Sequence, residues 1–179
     1  MNSLQLQQIL SNDPFIKKSF DGIYACDQLS SITVNRYPKS YIVNTDPKDL
    51  PGTHWIAIYF SNELNAEFFD SYGLHPNNYN NQFIRFIERN SIHWIHNEKQ
   101  LQSLFSTVCG QYCVYYLYNR CRMIPMYSIV NRFEFDKLRN DQLVYHFVKH
   151  RYRKAHPSVK QESNFALYQI SRVFNSNKK

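Results

Sequence analysis

Glycine is scarce, with four in 179 residues. So few glycines, so widely spread, build no glycine-rich loop of the kind that cradles phosphates. Long apolar runs are absent as well. None approaches the roughly 18 residues needed to cross a bilayer, and the polar, amphipathic residues 1–10 lack the apolar core of a secretory signal. No membrane partner is expected, and the chain is expected in an intracellular, reducing compartment. Cysteine is sparse: Cys26, Cys109, Cys113 and Cys121. The last three fall on what reads as one helix, without a C-x-x-C pair, so neither a disulfide framework nor a zinc ligand set is indicated. The seven histidines are scattered, and His93 and His96 sit in or beside a short strand. No metal is expected and no cofactor is required. Cys113 and Cys121 read as small buried hydrophobes. Acidic residues number 14 against 21 basic ones, a net charge of +7 concentrated late in the chain. Such an excess fits an acidic partner such as nucleic acid, or solubility alone.

What is present is aromatic and apolar. Hydrophobic residues make up 43% and aromatics 16%, with 14 Tyr and 13 Phe, which excludes a disordered chain. The length suits a single domain over residues 1–179, expected as a monomer. Leu4, Leu6, Ile9 and Leu10 predict an amphipathic helix ending near Asp13 and Pro14. Residues 22–37 read as loop, 40–44 as a buried strand and 45–52 as a turn region. Residues 54–60, dense in β-branched and aromatic side chains, predict a strand. A polar turn over 61–65 leads to a returning strand over 66–70. Further on, 77–90 reads as a helix, 92–95 as a short strand, 106–122 as a helix that Ser106 or Thr107 could cap, and 136–152 as a last helix. The economical architecture is α+β, a central sheet flanked by helices.

Three features carry chemistry. His54 opens a strong strand beside a loop, and Asp70 closes the strand predicted to pair with it, so the hairpin brings both to one sheet edge. Cys109 stands in the first turn of a helix, where backbone N–H groups and the helix dipole favour a thiolate. Gly110, next in sequence, is expected to leave room for a substrate backbone. An imidazole beside a thiol makes a thiolate–imidazolium pair, and a carboxylate on its far nitrogen fixes the tautomer. The tetrahedral intermediate needs oxyanion donors, for which the Cys109 amide and the Gln102 side chain are candidates. Taken singly, a His at a strand end such as His54 is seldom catalytic, and Asp70, Cys109 and Gln102 also fit a turn cap, a buried thiol and a solvated surface residue. Trp55 fits either a core aromatic or a residue that packs over the base and shapes a groove. A non-enzymatic DNA-binding or scaffold protein explains the charge and the aromatics, but not these residues in this order.

The segments 41–45, 52–57, 69–73 and 102–113 together resemble the adenovirus-type cysteine proteases, and among them the maturation proteases of Polinton/Maverick elements and virophages. The resemblance covers most of residues 41–122. It implies the mixed-sheet α+β fold shared by the adenoviral and ubiquitin-like-protein proteases, with His54 as base, Asp70 as third triad member, Cys109 as nucleophile and Gln102, seven residues upstream, as oxyanion donor. It further implies protein substrates such as capsid precursors, cleaved in a viral factory or virion. In the related deconjugating enzymes the Gln lies six residues before the Cys, where this chain has Ser103, so cleavage of ubiquitin-like modifiers is the alternative. The adenoviral enzymes are stimulated by DNA and by a disulfide-linked peptide. The cysteine used for that disulfide falls here on Ser91, so a covalent peptide activator is not expected, whereas DNA stimulation fits the basic cluster from Lys149 to Lys154.

Overall fold

Alternation along the middle strands sets the architecture. In this computed structural model, which describes residues 1–152, Ile42, Ala57, Tyr59 and Phe69 point into one apolar core, while Tyr41, Val43, Ile56, Ile58, Phe60, Ala66 and Phe68 point into another. Successive strand side chains face opposite ways. A sheet buried on both faces therefore needs strands that are apolar throughout, as residues 55–60 are.

The sheet has five strands in sequential order: β1 (Phe20–Ala25), β2 (Lys39–Asn44), β3 (Trp55–Phe60), β4 (Asn65–Phe69) and β5 (His93–His96). The two outer pairs, β1 with β2 and β4 with β5, are parallel; the inner pairs are antiparallel, which makes the sheet mixed. Five helices accompany it among the described residues: α1 (Ser3–Asn12), α2 (Gln82–Asn90), α3 (Cys109–Arg120), α4 (Met126–Val130) and α5 (Lys137–Tyr152). α1, α3, α4 and α5 cover one face, and α2 covers the other. α1 begins with a reciprocal pair of bonds between Asn2 and Gln5. No helix of the described residues is long and apolar enough to cross a membrane.

Several elements differ from the sequence reading. Residues 22–37 are not all loop: Phe20–Ala25 is an edge strand, followed by a 3-10 turn over Cys26–Ser31. The strand is half-exposed, carries Gly22, and its register shifts between Phe20 and Gly22, so it shows no period-2 pattern. The helix expected over 77–90 starts at Gln82, because Pro76–Asn78 forms a separate 3-10 turn. β5 lies one residue later than expected, and α4 was not expected at all. Leu4 is exposed, so the buried stripe of α1 is Gln5, Leu6, Ile9 and Leu10. Arg153 and Lys154 of the basic cluster lie outside the described residues.

Candidate active site

The antiparallel pairing of β3 with β4, Ala57 opposite Phe69, puts the entry to one strand beside the exit of the other. His54 stands just before β3 and Asp70 just after β4. Their side chains meet, His54 Nε2 to Asp70 Oδ1, at 2.6 Å. Asp70 is fully buried. Its carboxylate also accepts from the Tyr72 N–H (3.0 Å), the Leu74 N–H (2.9 Å) and the Tyr79 hydroxyl (2.9 Å). A buried carboxylate is tolerable when it is bonded this fully. Behind it, the buried Asn97 accepts from the Asp70 N–H at 2.9 Å and donates to the Asp70 carbonyl at 2.6 Å. Tyr72 stacks on the His54 ring at 4.6 Å between centroids. Burial and the Asp70 charge hold the Tyr79 phenol well above its usual range, so it stays a donor.

His54 Nδ1 is buried and makes no regular hydrogen bond. The mutual perturbation of His54 and Cys109 puts the thiol beside this imidazole, and Nδ1 is the nitrogen left to meet it. Burial alone pulls the imidazole down. The bond to Asp70 and the neighbouring Cys109 outweigh it and raise His54 to about 9. Burial pushes the Cys109 thiol up, but His54 and the Trp55 backbone N–H bring it below its usual value. Both shifts favour the charged pair. Cys113, one turn further along α3, is raised well above its usual value by burial, and Cys121, only half-buried, is paired with the Ser19 hydroxyl at 3.3 Å.

Cys109 is the first residue of α3, so Ser106 and Thr107 do not cap the helix. The preceding Val108 makes no side-chain cap bond, and the first N–H groups of a helix have no partner within it. A capping side chain would occupy those donors. Gln102 is fully buried. Its Oε1 accepts from Ser71 Oγ at 2.7 Å, and its Nε2 donates to the Ser106 carbonyl at 2.9 Å, leaving one of the two amide hydrogens. The loop is held from below by α5: Asp141 accepts from the Ser103 N–H (3.3 Å) and the Tyr112 hydroxyl (2.9 Å), and Asn140 donates to the Leu101 carbonyl (3.1 Å). Burial raises Asp141 to about 6.

A groove of about 850 Å³ runs past the start of α3, lined by Met1, Gly52, Trp55, Thr107 and Gln111 among others. Cys109 and His54 are nearly buried, and their near chain neighbours Trp55 and Gln111 line the groove. Trp55 donates from Nε1 to the Met1 carbonyl at 3.1 Å, which orients its ring along the groove wall. Gly110 departs from the expectation. A methyl group there would come within 3.2 Å of Met1 Cβ and 3.5 Å of Leu6 and Trp55, so the space it leaves is filled by α1 and its leading residue, not by an open channel. Asn97, Tyr72, Tyr79, Ser71 and Asp141 were not found from sequence. Their partners lie in other segments, and no local pattern marks them.

The adenovirus endoprotease family matches residues 20–142 of the chain. Comparison with curated proteins gives no match. Among solved structures, a selenomethionine crystal structure of a protease of ASFV (African swine fever virus) superposes with a TM-score of 0.54 at 16% identity, over 79% of this chain and 66% of that one. The chain thus spans 66% of the viral protease's length. The central domain of the uncharacterized Lpg1148 protein of Legionella pneumophila superposes with a TM-score of 0.54 at 12% identity, over 86% of this chain and 96% of that one. At these identities the likeness is one of fold.

Proposed function

The chain belongs to the adenovirus endoprotease family, and from that premise we propose that it is a cysteine endopeptidase with Cys109 as nucleophile. The observation that carries this reading is the relay itself: a thiol drawn down, an imidazole drawn up and a buried carboxylate bonded to the far imidazole nitrogen. Cys109 Sγ attacks the scissile carbonyl carbon as its π pair moves onto oxygen. The oxyanion is met by the Cys109 amide N–H and the remaining Gln102 Nε2 hydrogen. His54 passes its Nδ1 proton to the leaving amine as the C–N bond breaks and a thioester remains. Water then attacks the thioester, losing a proton to Nδ1, and the acid product and the thiolate separate. Asp70 keeps the ring oriented and favours the imidazolium throughout.

The proposed substrates are precursor proteins of a virus- or transposon-type particle, cut near small residues such as glycine. Removal of a ubiquitin-like modifier is the second reading, and the seven-residue Gln102–Cys109 spacing favours the first. DNA is proposed as an activator on the strength of the +7 charge and of Lys149, His150 and Arg151 in the last turn of α5. Ser91 has no thiol and donates instead to the Ile87 carbonyl at 2.9 Å, so no disulfide-linked activator is proposed. The test offers wild type and Cys109→Ala a panel of Gly-Gly and Gly-X peptides beside a ubiquitin-like fusion, with and without DNA. Peptide cleavage that requires Cys109 supports the endopeptidase. Cleavage of the fusion alone moves the chain to the deconjugating branch.

A further inference from the structure

Gln111 follows the proposed nucleophile by two residues, in the first turn of α3. It is only 8% exposed, yet its Oε1 has no hydrogen-bond partner. It also lines the groove that Trp55 and Thr107 border. A buried carbonyl oxygen without a donor is unfavourable, and native structures rarely leave one so without a reason. His54 Nδ1, the other buried side-chain nitrogen or oxygen without a partner among the described residues, already has its use in the relay.

We propose that Gln111 is a substrate-binding residue whose Oε1 accepts a main-chain N–H of the peptide seated in this groove, beside the scissile bond. This rests on the endopeptidase reading and deepens it. The ligand chemistry is the backbone of an extended peptide rather than a particular side chain. An acceptor oxygen selects an N–H, which every residue but proline supplies. The helix fixes the Cα of Gln111 relative to that of Cys109, so one hydrogen bond there sets the position of the chain along the groove relative to the attacking sulfur. Such a bond positions the reacting carbonyl without touching it. Proline at the substrate position that Gln111 reads is therefore excluded.

The test uses the peptide from the panel that wild type turns over fastest, together with copies N-methylated one at a time at each peptide bond flanking the scissile one. Gln111→Met keeps the side chain's length and removes the acceptor. It is expected to lower kcat/KM about three- to tenfold, the scale of one neutral hydrogen bond, with the melting temperature and the rate of Cys109 alkylation by iodoacetamide unchanged. In wild type one N-methyl position carries an extra penalty, and that penalty shrinks by the same factor in Gln111→Met. Gln111→Glu, which keeps an acceptor oxygen, retains sensitivity at that position even where its charge slows turnover. N-methyl penalties identical in wild type and Gln111→Met, or an unchanged kcat/KM, overturn the proposal and leave a water as the partner of Oε1. If wild type cleaves no peptide with or without DNA while Cys109 still alkylates, the endopeptidase reading falls first and the role of Gln111 falls with it.

Discussion

Two protons govern the site at the scale of single residues. His54 holds its proton up to about 9, because the bond to Asp70 and the neighbouring Cys109 overcome burial. Cys109 releases its own proton below the usual 9.0, because His54 and the Trp55 amide overcome burial there too. The charged pair therefore populates between the two. Alkylation of Cys109 by iodoacetamide is expected to rise with pH through a midpoint below the usual 9.0. The kcat/KM is expected to rise on the same limb and to fall only as pH passes about 9. A thiol that alkylates with an ordinary midpoint contradicts the pairing. The stability linkage has a definite sign. His54 is raised in the fold, so its contribution is full below its ordinary 6.5 and is lost as pH rises through about 9. Asp70→Asn withdraws the charge that supports the imidazolium. It should move the falling limb to lower pH and reduce kcat by at least about 10²-fold. His54, Asp70 and Cys109 were legible in sequence because each ends or starts an element whose pattern is strong. Gln111 was not, since an orphaned oxygen is a property of packing.

The element that matters most is the turn after β4. Gly73 there has φ +71°, and a methyl group would lie 2.7–2.8 Å from backbone atoms of Glu98 and Lys99. These are main-chain atoms, which have little room to yield. Gly73→Ala should therefore cost about 1–3 kcal/mol, the scale of a strained left-handed residue. Asn97→Ala leaves the Asp70 N–H and carbonyl without their side-chain partner and should cost about 1–3 kcal/mol. Urea midpoints check both. Because Asp70 is displaced in each, kcat should fall more than KM rises. Unchanged kcat in Asn97→Ala would mean that the turn alone positions Asp70. The hairpin of β3 and β4 was readable from its density of Ile, Trp, Tyr and Phe. β1 was not, because a half-exposed edge strand with a glycine and a register shift has no alternation to read. Asn97 was also silent: an amide after a short strand looks like any turn residue, and its partner is 27 residues away.

Across the whole molecule, the α+β class followed from strands apolar on both faces and helices with one buried stripe. The buried polar side of α5 did not follow, because the partners of Asn140 and Asp141 lie in a loop more than thirty residues away. The basic end of α5 is partly engaged: the Arg151 guanidinium lies 4.2 Å from the centroid of the Tyr118 ring, and the Lys149 ammonium 5.7 Å from that of Tyr145. Binding of a short duplex DNA, followed by fluorescence anisotropy, should weaken as salt rises, with a linear slope of log K on log salt. A flat slope removes DNA from the account. The role of Cys109 as nucleophile is tested by turnover of the Gly-Gly and Gly-X peptide panel by wild type and Cys109→Ala, both shown folded by their melting curves. Cleavage by wild type and none by Cys109→Ala is the predicted result. Equal cleavage by the two proteins would contradict it.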